Sequence, residues 1–196
     1  MHCAGRRSDC VIDDLTAFRR ARAEFERRRD KVTVAQHTLP TPCAEWDVIT
    51  LIRHVIDGDT FATLLLEGAS LGDAFTALVG MDNSREFAHE ANVLDAAFAA
   101  AARDQTVDHP VGPTSVGDFL DFRTTDYAAH AWDLARATGQ DETLDSELIE
   151  LLWERSERRL DSFVSSAEFD GGPSDAGSEG AGQLQSRWLD RIGRRP

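Results

Sequence analysis

Lysine is nearly missing from this chain. Of 21 basic residues only Lys31 is a lysine, a usage that speaks of a GC-rich gene rather than of the fold. Cysteine is scarce too. Cys3, Cys10 and Cys43 form an odd, sparse set, which excludes a disulfide framework and makes the cytoplasm the expected compartment. No apolar run nears the roughly 20 residues of a membrane span. The opening MHCAGRRSDC has no apolar stretch of the kind a secretory signal needs. Alternating β-branched runs do not occur beyond Val32-Thr33-Val34, which argues against a β architecture. A glycine-rich phosphate loop, a CxxC pair, HExxH and GxSxG are all lacking, and with them the chemistries those motifs support.

Positive charge is in deficit. The 196 residues carry a formal charge of −14. Nine Lys/Arg against six Asp/Glu lie in residues 1–31, so the rest holds twelve against twenty-nine. A field of that sign repels phosphate backbones and anionic lipid, so neither nucleic acid nor a membrane is an expected partner. The arginines near the N-terminus lack aromatic interleaving and read as a solvated helix face. With 41% hydrophobic residues, the chain is long and apolar enough to fold around one core.

What is present is helical periodicity. Val11, Leu15, Phe18, Ala21 (or Arg22) and Phe25 recur at three- and four-residue steps, predicting a helix from about Cys10 to Asp30. A second follows Pro40-Thr41-Pro42, capped by Asp47, with Trp46 and Leu51 spaced as a hydrophobic staple, and runs to Gly68. A third starts near Asn83, which has capping-box spacing with Glu86, and carries Phe87, Ala91, Leu94 and Phe98. The fourth starts at Ser115, with Asp118 three positions on, and stops at Gly139. A fifth spans about Asp145 to Val164. Residues 170–182 are polar and glycine-rich, the composition of a loop, and Leu184–Gly193 reads as a short docked helix. The expected organisation is an all-α four-helix bundle with an additional C-terminal helix over residues 1–168. A flexible loop and docked tail occupy 169–196.

Bundles of this kind build metal sites from inward-facing side chains. His54 shares a helical line with Leu51, Gly58, Phe61 and Leu65, and Gly58 leaves room beside the ring. Taken alone, a core histidine satisfied by its neighbours is the plainer account of it. Asp126 and His130 are four apart on the fourth helix, so they point the same way and could share one cation. An Asp–His hydrogen bond is the simpler account of that pair by itself. Together the three supply two imidazoles and a carboxylate, a set used where a metal keeps a position open. Zn²⁺ is the first expectation, and Fe²⁺ or Ni²⁺ suit the same donors.

Two blocks carry a resemblance. TPCAEWDVITLIRHV (Thr41–Val55) and DYAAHAWDLARATGQD (Asp126–Asp141) resemble signature segments of an actinobacterial family. These are the relatives of mycothiol-dependent maleylpyruvate isomerase, within the DinB-like metal-binding bundle superfamily. The ending WLDRIGRRP is similar to the C-terminal block of a short branch of it. The resemblance implies a DinB-like fold and zinc ligation by His54, Asp126 and His130, with aspartate where the isomerase has glutamate. It implies mycothiol as cosubstrate and a small electrophilic organic substrate, handled by a transferase or isomerase. The isomerase it resembles also has a separate C-terminal domain that contributes to activity, which the short tail here does not supply. A non-catalytic metal-binding bundle with a structural or regulatory role is the alternative from another class. Catalytic residues are not assigned, and a homodimer is one open assembly.

Other residues are read more plainly. Asp133, three positions after His130, could steady that ring or pair with Arg136 or Arg123. Arg123 could meet an anionic substrate or form a surface ion pair. Trp132 reads as packing. Cys43 has no base beside it in sequence and reads as a buried small residue. His2, His37, His89 and His109 lack partners at ligand spacing. His109-Pro110 precedes the fourth helix, where it could border a pocket at the bundle end.

Overall fold

The computed structural model describes residues 12–80, 86–163 and 180–196, without the side chains of 80, 158–163 and 181. Cys3, Cys10, Val11, the Asn83 cap and most of the glycine-rich loop lie outside the described residues, as does His2.

Helix α1 spans Asp14–Arg29, its first turn capped by Asp13, which accepts from the Thr16 amide at 3.0 Å. Its predicted stripe points inward: Phe18, Ala21 and Phe25 are fully buried. A 3₁₀ turn, Val34–Gln36, leads to α2, Val48–Leu66, which Asp47 caps. Helix α3 is Leu71–Gly80, α4 is Phe87–Ala100, α5 is Val116–Thr138, α6 is Ser146–Phe163 and α7 is Ala181–Arg191. Ser115 accepts from the Asp118 amide at the start of α5, and Gly139 ends it in the left-handed region at φ 69°, where a Cβ would be strained.

Helices α1, α2, α4 and α5 form the bundle. Contacts run α1–α5, α5–α2, α2–α4 and α4–α1 around a square. Sequence neighbours α1 and α2 therefore stand diagonally, as do α4 and α5. The segments joining these diagonal pairs, residues 30–47 and 101–115, are correspondingly long. Aromatic rings fill the centre: Phe18 lies 5.4 Å from Phe98 and 5.6 Å from Tyr127 in edge contacts, and Phe25 lies 5.9 Å from Tyr127. Helix α7 docks on α6. Trp188 and Leu189 are buried, and Arg187 and Arg191 cover the Trp153 ring at 4.4 and 4.1 Å.

Three features depart from the sequence reading. An additional helix, α3, follows Gly68. Residues 106–115 form an antiparallel hairpin, β1 Thr106–His109 with β2 Gly112–Ser115, pairing His109 with Gly112. At four residues per strand it is too short to show a period. The arginine face of α1 is also not simply solvated. Arg19 binds Asp95 of α4 through two bonds, Arg20 reaches Glu147 of α6, and Arg28 is fully buried. Arg28 donates to the carbonyls of Asp141 and Thr143, fastening the α5–α6 connection.

Candidate metal centre

The site begins in the loop ahead of α2. The Thr41 hydroxyl accepts from the Cys43 amide and donates to the Trp46 carbonyl at 3.0 Å, folding residues 41–46 into a tight bend. Glu45 takes a positive φ of 66° inside it. The bend sets Trp46 against the His54 ring and Cys43 beside His130 and Asp133. Trp46 pairs with the imidazole of His54, ring centres 4.5 Å apart, an aromatic contact the staple spacing did not anticipate.

His54 from α2 and Asp126 and His130 from α5 converge. One oxygen of Asp126, Oδ1, lies 3.3 Å from His130 Nε2 and 3.7 Å from His54 Nε2. The two imidazole rings meet edge to face, centroids 5.0 Å apart. His130 is buried, while His54 and Asp126 remain 39% and 27% exposed, so one side of the cluster opens to solvent. Around a tetrahedral zinc, bonds of about 2.0–2.1 Å separate neighbouring donors by about 3.3 Å. The spacing here is close to that. The three donor atoms all lie within 4.8 Å of one another and fit a single cation.

Each donor is held from behind. His130 Nδ1 lies 3.0 Å from Asp133 Oδ2, so a proton on Nδ1 leaves the Nε2 lone pair facing Asp126 and His54. The other oxygen of Asp126, Oδ2, accepts from Arg123 Nη1 at 2.6 Å. Arg123 is neither at the surface nor free for a substrate. Its Nη2 donates to Asp59 Oδ1 at 2.6 Å and to the Val55 carbonyl at 3.3 Å, and Asp59 accepts from the Tyr127 hydroxyl at 2.6 Å. The room predicted beside Gly58 exists, but the Arg123 guanidinium fills it, not the His54 ring.

Charge follows this geometry. Burial pushes the Asp126 carboxyl up, but Arg123 and the two imidazoles outweigh it and hold it well below the usual carboxylate range. Burial pushes His130 down, but Asp126, Asp133 and Cys43 outweigh it and keep the ring protonated well above the ordinary histidine range. Asp59, fully buried, is raised by that burial despite Arg123 and Tyr127.

A second group of ligand types shares His130. Cys43 Sγ donates to Asp133 Oδ2 at 3.3 Å and lies 3.9 Å from His130 Nδ1. A cation already serves this group. Arg194, three residues past α7, donates to both oxygens of Asp133 at 2.9 and 2.8 Å and lies 3.4 Å from the sulfur. Burial raises Asp133, but His130 and Arg194 together hold it below its ordinary value. Asp133 therefore steadies His130, and its arginine is neither Arg136 nor Arg123. Arg136 covers Trp132, which is buried packing. Nothing in the spacing pointed to Arg194, sixty-one residues from its partner. Among the described residues the other histidines stay out of the cluster: His109 stacks on Phe122, rings 3° from parallel, and His37 and His89 are half-buried and exposed.

No helix among the described residues is long and apolar enough to cross a membrane. Two solved structures share the fold: the mycothiol-dependent maleylpyruvate isomerase and a histidine-to-alanine mutant of it. Both superpose with a TM-score of 0.65 over 92% of this chain and 88% of theirs, at 18% and 17% identity. Uncharacterized proteins from two strains of Mycobacterium tuberculosis are 36% identical over 144 residues, 70% of this chain and 74% of theirs. The profile of the mycothiol maleylpyruvate isomerase N-terminal domain matches residues 18–135, which include every candidate ligand. The chain belongs to the mycothiol maleylpyruvate isomerase N-terminal domain family.

Proposed function

We propose that the protein is a divalent-metal enzyme that uses a small thiol, mycothiol by family, to transform a small electrophilic organic substrate as an isomerase or S-transferase. His54, Asp126 and His130 are the ligands, and zinc is the first candidate for the donor set. The observation that carries this reading is the single Asp126 oxygen facing both Nε2 atoms at 3.3 and 3.7 Å. A bound divalent cation with an open position supplies the positive charge that stabilises a thiolate at neutral pH.

The chain's own residues do the rest. Asp133 holds His130 in the tautomer that presents Nε2. Trp46 packs against His54, fixing that ring and forming an apolar wall beside it. The exposure of His54 and Asp126 leaves a way in for a thiol, which favours a catalytic site over a closed structural one.

Metal analysis of the purified protein tests this first, with about one ion per chain expected and its loss expected in His54→Ala. Titrating Co²⁺-loaded protein with a low-molecular-weight thiol tests the second half. A change in the visible bands supports the enzyme reading, and a saturated sphere blind to thiol overturns it.

A further inference from the structure

We infer that Arg123, seated in the notch left by Gly58, is a positioning residue that restricts Asp126 to one-oxygen ligation and so keeps a coordination position free. The inference rests on the metal reading above and adds a cause for its open position.

The argument is geometric. Carboxylates bind cations through one oxygen or two. Asp126 turns Oδ1 to the histidines, while Oδ2 is engaged by Arg123 Nη1 at 2.6 Å. The guanidinium cannot swing away to release Oδ2. Its other arm is tied to Asp59, itself fully buried and bound by Tyr127, and moving it would strand that carboxylate. The planar fork thus spans two carboxylates, one with a face to the candidate cation and one with none.

Gly58 makes the seat. A Cβ there would lie 2.5 Å from Nη1 and 3.1 Å from Cζ of Arg123, contacts that force the guanidinium to shift. Glycine is a poor residue for a helix interior, and Gly58 lies mid-way along α2 with no turn to serve. Its role is to admit the arginine. An aspartate in this setting, one methylene shorter than glutamate, has less reach to compensate if its anchor moves.

The test uses the full chain loaded with Co²⁺, comparing wild type, Arg123→Met, Gly58→Ala and the double variant, with circular dichroism as the control for folding. In Arg123→Met we expect Co²⁺ affinity to fall on the order of 10–100-fold. The visible bands should weaken as Asp126 offers both oxygens, and the thiol response should disappear. Gly58→Ala should move affinity and spectrum the same way by less, and should add nothing in the Arg123→Met background. If Arg123→Met does not fold, the Gly58→Ala spectrum decides alone. Wild-type bands retained in folded Arg123→Met, or in Gly58→Ala when that variant stands alone, overturn the inference, as does an equal Gly58→Ala loss in both backgrounds. A wild type that takes up no Co²⁺ overturns the underlying reading as well, so the two failures are distinct.

Discussion

On one edge of the His130 ring, Nε2 meets Asp126 and His54; on the other, Nδ1 meets Cys43 and Asp133. Both groups hold three residues of ligand type at ligand spacing. The difference lies in what already satisfies them. Both oxygens of Asp133 accept from the one guanidinium of Arg194, which also reaches the Cys43 sulfur. Asp126 has a guanidinium on one oxygen only, and the other faces two imidazoles. A cluster whose cation is built in has no call for another. The other cluster faces solvent on one side, and only imidazoles meet the Asp126 oxygen that Arg123 leaves. Clusters of ligand residues are thus told apart by their second partners rather than by their composition.

The largest effect should come from breaking the open cluster. His54→Ala or Asp126→Ala should take the metal from about one per chain to near zero in purified protein, measured by elemental analysis. Retention of a full equivalent in both would assign the ion to another place. Next comes the hinge between the clusters. Asp133→Ala removes the acceptor that orients His130 and should weaken metal binding by about 10–100-fold without abolishing it.

A third effect is a proton count. Without metal, Asp126 and Asp133 keep His130 protonated well above its ordinary range despite burial. A metal can bind Nε2 only by displacing that proton. Raising the pH therefore strengthens apparent affinity, by up to about tenfold per unit while His130 remains protonated in the free protein. Calorimetry in buffers of different ionisation enthalpy should find about one proton released per ion. A pH-independent affinity would mean the ring is already neutral.

The legibility of this comparison in the sequence was uneven. The open cluster could be read because helical periodicity alone places Asp126 and His130 on one line, and His54 lies on a stripe with Leu51 and Leu65. The bundle was legible for the same reason, and Asp47, Ser115 and Gly139 act as caps where their residue types predict. The closed cluster was not legible. Arg194 reaches Asp133 only because Trp188 and Leu189 dock α7, a tertiary event without local signature. Arg123 was misread for a related reason: spacing shows that it neighbours Asp126, but not that Gly58 opens a buried seat for it.

The fourth effect is on stability. Arg194→Gln leaves the buried Asp133 carboxylate with fewer donors and should destabilise the fold by about 2 kcal/mol, seen as a lower Tm. Its sign with pH can be worked out. Asp133 is held below its ordinary value of 3.8 in the folded chain. The stabilisation is therefore present above that value and lost as pH falls through the lowered one. The gap between wild type and Arg194→Gln should stay level from neutral pH to about 5 and narrow below about 4. A gap that widens in acid would show that Arg194 acts through some other contact.

The smallest effect sharpens the comparison most. Cys43 is half-buried and donates to Asp133 at 3.3 Å, with Arg194 close to its sulfur. If this group is satisfied internally, the sulfur is one weak donor in a network that keeps its stronger ones. Cys43→Ser retains a hydroxyl able to donate to the same carboxylate. Metal stoichiometry should therefore stay at about one per chain, with affinity altered less than about threefold, far below the 10–100-fold typical of an outer partner of a ligand. If Cys43 were a ligand, serine would replace a soft thiolate with a hard oxygen, and Co²⁺-loaded protein would lose any sulfur-to-metal absorption in the near ultraviolet. Spectra of the two proteins that superimpose would place the ion on the Nε2 edge of His130. A lost band would move it to the edge that Arg194 now closes.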